Sequence, residues 1–269
     1  MELNDLFGLR GTAAIVTGGG SGIGRACATL LARLGAGVCI VERDAGAAAD
    51  AVRSIEELGG RALSVVADAR ETGTAVQAVS ATTERFGRID VLVNNVGGMF
   101  FAPATELTAS GWAAVLRLNL DTTFFFSQAV APVMREAGKG AIVNIASVAG
   151  IAANPMGAHY GAAKAGIISL TRTLAVEWAP AIRVNCVAPD LVRTAGTDRL
   201  MSDADRERAA TMTPLRRIAT PGDVAGLAVF LASDMASFIT GQTVVIDGGS
   251  LLQGRGDVIA RMSASDTEG

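Results

Sequence analysis

The chain has 269 residues, half of them hydrophobic, 18% charged and only 4% aromatic, with a formal net charge of −3. Acidic and basic residues are interspersed, which excludes the one-sided positive field of a nucleic-acid binder. The opening segment Met1-Glu2-Leu3-Asn4-Asp5 lacks the regions of a secretory leader, and no apolar run nears the roughly 18 residues of a membrane span, so a soluble, cytoplasmic protein without membrane or nucleic-acid partners is expected.

With so few aromatics the core has to be built from Ala, Val, Ile and Leu, a mix that suits parallel strands buried on both faces. β-Branched runs predict strands near 12–17, 37–42, 62–66, 89–93, 140–146, 182–187 and 243–246. Between them, Ala/Leu-rich segments predict helices near 22–34, 44–58, 72–86, 111–136, 157–178 and 222–232. Repeated βαβ units with right-handed crossovers give an α/β, Rossmann-type doubly wound parallel sheet of seven strands flanked by helices. No linker divides the chain, so one domain is expected over residues 8–250. The stretch 191–215 is polar and strandless and is expected to form a lid. Residues 254–269 read as a tail, in which Arg255-Gly256-Asp257 matches an integrin-type tripeptide by chance.

The first strand runs into Thr17-Gly18-Gly19-Gly20-Ser21-Gly22-Ile23-Gly24 and then directly into a helix. Glycines permit a tight turn and close approach, and the helix N-terminus offers free N–H groups to an anion, so this is a candidate phosphate cradle. Its spacing is G-x-x-x-G-x-G rather than the commoner G-x-G-x-x-G. Glu42, at the end of the second strand, lies near the offset at which a carboxylate meets the adenosine ribose. There it would accept from the hydroxyls and repel a 2′-phosphate, which favours NAD. Arg43 keeps NADP open, because its guanidinium could pair with that phosphate.

Tyr160, the only tyrosine, precedes Lys164 by four residues and follows Ser147 by thirteen. On a helix Tyr160 and Lys164 share a face. A nearby ammonium lowers a phenol pKa from its usual value of about 10 and so fits the phenol for proton transfer. A half-buried packing tyrosine is the alternative. His159, the single histidine, falls on another helical face, and Cys27, Cys39 and Cys186 lack metal spacing, so no metal site is expected.

Taken in order, these motifs resemble those of the short-chain dehydrogenase/reductase family over about residues 8–250. The resemblance implies that Thr17, Gly18, Ser21, Gly22, Ile23 and Gly24 bind the cofactor together with Glu42 and Arg43. Asp68, with Ala69 beside it, would meet the adenine. Asn94-Asn95-Val96-Gly97 stands for the family's Asn-Asn-Ala-Gly and adds Asn95, Val96 and Gly97 to the cofactor set. The family's catalytic quartet falls on Asn119, Ser147, Tyr160 and Lys164. By resemblance Tyr160 is the acid or base and Ser147 bonds the reacting oxygen. Lys164 lowers the tyrosine pKa and holds the nicotinamide ribose, and Asn119 orders a water behind it.

After strand six, Pro189-Asp190-Leu191-Val192-Arg193-Thr194 stands where the family has Pro-Gly-x-Val-x-Thr. Pro189, Val192 and Thr194 keep their cofactor roles, whereas Asp190 implies a conformation open to Asp or a carboxylate with a local role. The segment 177–185 is read as packing. The implied activity is hydride transfer between a nicotinamide and a carbonyl or secondary alcohol. Met99, Phe100, Phe101, Ile151, Pro155 and Met156 point to an apolar substrate body. The rivals are an enoyl thioester reductase and a catalytically silent redox sensor. A homotetramer is expected, formed through 111–136, with Phe124-Phe125-Phe126, and through 238–245.

Overall fold

The structure is a computed structural model that describes residues 6–199 and 201–252; the tail, including Arg255-Gly256-Asp257, lies outside the described residues. Seven strands run β1 Ala13–Thr17, β2 Gly37–Glu42, β3 Arg61–Val66, β4 Val91–Asn94, β5 Gly140–Ile145, β6 Ile182–Pro189 and β7 Thr243–Ile246. They form one sheet in the order β3-β2-β1-β4-β5-β6-β7, and every pair is parallel. The order reverses beside β1, so the chain crosses over between β1 and β4 and opens a crevice at their C-terminal ends.

Helices α1 Gly22–Arg33, α2 Ala45–Glu57, α3 Thr74–Phe86, α4 Ala109–Leu116, α5 Thr122–Glu136 and α6 Ala158–Glu177 follow the strands. Short helices α7 Ala195–Asp198 and α8 Asp203–Met212 precede α9 Pro221–Ala232. Strand residues alternate between two cores. Val16, Val38, Ile40, Val143 and Val187 face α1, α2 and α9. Ile15, Cys39, Leu92, Ile142 and Val184 face α3, α5 and α6. Burying one such side chain contributes roughly 1.5–3 kcal/mol, and the central strands are apolar on both faces because both are covered.

The expected helix over 111–136 is interrupted. Arg117–Asp121 forms a π turn between α4 and α5. Asn119 is its centre, for its Nδ2 donates to the Val115 carbonyl at 2.9 Å. That side chain competes with the backbone for an i−4 acceptor, which widens the turn. The segment 191–215, expected to form a lid, is also more ordered than its polarity implies. Ser202 and Asp205 close a capping box on α8, and Thr194 and Thr197 close one on α7. Among its described residues the segment 191–215 contributes no strand, although Val192 makes an isolated bridge to Ala219.

Cys27, Cys39 and Cys186 are fully buried free thiols, and burial pushes them up to about 12, 11 and 11. No helix among the described residues is long and apolar enough to cross a membrane.

The segment around Arg183 is structural. Its guanidinium donates to the carbonyls of Leu231 at 2.8 Å and Ser233 at 3.0 Å, and more weakly to Ala232 and Ile239. These carbonyls end α9 and begin the connection to β7, where helical partners run out. Asn185 extends the stitch by donating to Ile239 and accepting from the Gln242 N–H. Arg183→Met should therefore destabilise the protein by about 2–4 kcal/mol, because several carbonyls lose a charged donor together. A lowered denaturant midpoint with an unaltered slope would show it; an unchanged midpoint would contradict the stitch.

Candidate active site

The Gly-rich turn at the end of β1 is built for close approach. Gly18 and Gly22 have φ of +62° and +53°, the left-handed region that disfavours side chains. A Cβ on Gly24 would fall 2.1 Å from the Gly18 carbonyl oxygen. Asn95 Nδ2 holds the turn from the other side, donating to the carbonyls of Thr17 at 3.0 Å and Gly18 at 3.2 Å. The Thr17 hydroxyl in turn accepts from the N–H groups of Asn95 and Val96. Ser21 begins α1 without a side-chain cap, and the first turn carries no acidic residue, so the helix N–H groups stay free for an anion. Ile23 is half-buried behind them. Thr194 closes the far side, its methyl lying 3.3 Å from where a Gly22 Cβ would sit. The cradle thus fits a dinucleotide phosphate.

Glu42 lies against this turn. Its carboxylate accepts from the N–H groups of Gly20, Arg43 and Asp44 at 2.9–3.2 Å. Asp68 differs from the simplest expectation. Arg70 grips it through Nε and Nη2 and holds the carboxyl well down, at about 2, so most of its acceptor capacity is occupied. Ala69, half-buried, packs against the core beside it.

The candidate catalytic side chains converge at the C-terminal edge of β5. Ser147 follows β5, and its Oγ accepts from the Ala149 N–H at 3.1 Å. Tyr160, in the first turn of α6, comes close enough to Ser147 for that side chain to draw its pKa down. One turn along, Lys164 is buried and its Nζ donates to the Ile145 carbonyl at 2.9 Å. The ammonium lies 5.3 Å from the Tyr160 ring centre. The expected lowering of the phenol is not found: burial raises the Tyr160 pKa, and the Ser147 side chain opposes it only in part. The reason is shared burial. Desolvation also pulls Lys164 down, to about 8, and its charge is directed at a carbonyl rather than at the phenol oxygen.

Asn119 joins this group from the π turn. Its amide pairs with Gly98 in both directions, donating at 2.9 Å and accepting at 3.2 Å. A Cβ on Gly97 would lie 2.6 Å from Asn119 Oδ1 and 3.1 Å from Lys164 Nζ, so Gly97 is the spacer between them. His159 is a packing residue: it is fully buried, accepts the Tyr160 N–H on Nδ1 and meets the Phe100 ring edge-on.

Phe100, Phe101, Ile151 and Met156 are exposed around the cleft mouth, and the Ala102 N–H donates to the Met156 carbonyl, joining the two loops. Val192 is buried, bridging to Ala219, and Pro189 ends β6. Sequence reasoning missed a buried polar chain that sets α6 against the sheet. Asn94 Nδ2 donates to Asn144 Oδ1, and Asn144 Nδ2 to the Thr171 hydroxyl, both at 2.9 Å. The available signal was an asparagine inside the apolar run Ala141-Ile142-Val143-Asn144-Ile145.

Comparison with known proteins agrees with this geometry. Residues 18–250 match the family profile described as enoyl-(acyl carrier protein) reductase. A Bacillus subtilis (strain 168) protein named a probable 2,4-dienoyl-CoA reductase is 40% identical over 246 residues, covering 89% of this chain and 96% of that protein. The 3-oxoacyl-[acyl-carrier-protein] reductase FabG of Thermotoga maritima is 39% identical over 245 residues, covering 91% and 99%. A crystal structure from Sinorhizobium meliloti 1021, provisionally named a short-chain alcohol dehydrogenase, superposes with a TM-score of 0.87 at 38% identity. It covers 92% of this chain and 99% of its own.

The buried ammonium has a measurable signature. Below about pH 8 Lys164 is protonated folded and unfolded, and the full desolvation cost is present. Between about 8 and the ordinary 10.5 the unfolded chain binds the extra proton, so this residue's penalty fades as pH rises. The stability gained by Lys164→Met over the parent should therefore shrink by up to roughly 3 kcal/mol across that window. Denaturation midpoints of the two proteins at pH 7 and pH 10.5 test it; a constant difference would contradict the burial.

Proposed function

Since the chain belongs to the short-chain dehydrogenase/reductase family and is an oxidoreductase of the CH–OH/C=O class, we propose that it interconverts a ketone and a secondary alcohol on a largely apolar molecule with Tyr160 as the proton-transfer group. The observation that carries the reading is the approach of the Ser147 and Tyr160 side chains beside the buried Lys164, at the mouth of a cleft whose Gly-rich turn fits a dinucleotide phosphate. Relatives of this family use nicotinamide cofactors. The residues that would hold one here are the 17–24 turn, Glu42, Asn95, Val96, Gly97, Val192 and Thr194, with Arg43, Asp68, Ala69 and Pro189 around them. When bound, the nicotinamide supplies or accepts the hydride.

The protein's own contribution is orientation and a proton. Ser147 fixes the substrate oxygen beside the Tyr160 hydroxyl. In reduction that hydroxyl gives its proton to the carbonyl oxygen; in oxidation the phenolate takes it from the alcohol. Burial keeps Tyr160 protonated through neutral pH, which favours the reductive direction. Lys164 and Asn119 stand behind the pair as positioning residues that hold Gly97 and Gly98 at fixed depth. The exposed Phe100, Phe101, Ile151 and Met156 support an apolar substrate body. Exposed Phe125 and Phe238 support the homotetramer.

Reduction of an enoyl thioester is the second reading, and the description of the matching family profile favours it. An enoyl thioester would bring its thioester oxygen to the pair, but its proton ends on carbon, whereas a ketone takes the proton on the oxygen that Ser147 and Tyr160 would face, and on that ground the pair supports carbonyl chemistry. Tyr160→Phe removes only the hydroxyl. Turnover of ketones should fall about 10²-fold or more while NADH still binds. In the parent, the oxidation rate should climb only on the alkaline side, towards or beyond the ordinary phenol value of about 10. Ketone turnover within a few fold of the parent in Tyr160→Phe, or a panel in which only enoyl thioesters react, would sink the carbonyl reading.

We read NAD as the preferred cofactor because the Glu42 carboxylate faces the cradle through Gly20. Glu42→Ala should lower kcat/KM for NAD and raise NADP relative to it, since a repulsive contact with the 2′-phosphate disappears. Equal or better use of NADP by the parent would move the assignment to Arg43.

A further inference from the structure

Asp190 departs from the expected pattern by placing a charge where the family has glycine. Its N–H donates to the Ile246 carbonyl at 3.2 Å, which carries the β6–β7 ladder one residue past the Pro189–Ile246 pair. The alternation of β6 therefore sets its direction. Val187 belongs to the core under α1 and α9, whereas Val184 and Cys186 pack towards α6. By the two-residue period Asp190 shares the face of Cys186, the face covered by the helix that carries Tyr160 and Lys164.

The register also fixes its depth. Ile145 pairs with Val187, and continuing that pairing brings Ser147 level with Pro189. With strands about 4.8 Å apart and a rise of about 3.3 Å, the Asp190 backbone lies roughly 6 Å from that of Ser147. It is half-buried, yet its carboxylate has no hydrogen bond or ion pair among the described residues. A shielded carboxylate without a partner is unfavourable, and it can only accept hydrogen bonds. No other carboxylate of the candidate site is left so: Glu42 is bonded by three N–H groups and Asp68 by Arg70.

We propose that Asp190 is a specificity-determining residue that accepts a hydrogen bond from a second hydroxyl of the substrate, on the carbon next to the reacting one. The assignment rests on the carbonyl/alcohol reading above. It narrows the substrate to a vicinal diol, or the corresponding hydroxyketone, carried on an otherwise apolar body. The same carboxylate repels substrates with an acidic group at that carbon.

The test compares substrate pairs that differ by one hydroxyl, 2-butanol with 2,3-butanediol and cyclohexanol with 1,2-cyclohexanediol. For each, kcat/KM of NAD-linked oxidation is measured in the parent, Asp190→Asn and Asp190→Gly, with NADH affinity read separately by fluorescence. The parent should favour the diol of each pair, and the diol-to-monoalcohol ratio should fall about tenfold or more in both variants, the loss expected of a hydrogen bond to a charged group. Ratios alike in all three proteins overturn the assignment. A weakened NADH affinity with unaltered ratios overturns it too and gives the carboxylate to the cofactor. A parent that binds NADH but oxidises no member of any pair overturns the alcohol reading and this one together.

Discussion

The hydrogen bond from Lys164 to the Ile145 carbonyl is the contact on which the rest of the cleft depends. It joins α6 to the last residue of β5, so the depth of the helix beside the sheet is set by a buried charge that has no other acceptor for its protons among the described residues. One helical turn from this anchor stands Tyr160; two residues past the end of the strand stands Ser147. Their meeting follows from a single fixed distance. The chain of Asn94, Asn144 and Thr171 adds a second anchor nearly two turns deeper, so α6 can neither slide nor rotate without breaking buried hydrogen bonds.

A site made this way is dry, and dryness has a sign. It raises the phenol and lowers the ammonium, driving both groups towards their neutral forms. On the proposed reading the phenol is thereby a proton donor at rest. Charge enters mainly at the periphery, where Glu42 meets the cradle and Asp190 meets the substrate end of the cleft. The interior sorts by shape and the rim by charge.

Most of the scaffold was legible in the sequence because it follows from local chemistry. β-Branched runs placed all seven strands within about two residues of their observed bounds at most ends, and the glycine turn could be read from the strand before it and the helix after it. The π turn at Asn119 could not be read, since Trp112 to Met134 has the composition of one continuous helix and the interruption depends on a side chain bonding its own i−4 carbonyl. Helix α8 was missed because its sequence is polar on every side and its ends are set by a capping box rather than by a buried stripe. Arg70 hid in the same way: its grip on Asp68 is local, but nothing in the sequence marks the two as partners. The relation of Lys164 to Tyr160 was misread because spacing gives proximity and says nothing about solvent.

The three cysteines lie in α1, β2 and β6, on both sides of the sheet, and burial keeps all of them as unreactive thiols at neutral pH. Thiolate is the reactive species towards alkylating agents. The folded protein is thus indifferent to such reagents although it carries three potential targets, and modification can proceed only through molecules in which the sheet has come apart. The chain carries its own integrity gauge, with one mark beside the phosphate cradle and another beside the buried lysine.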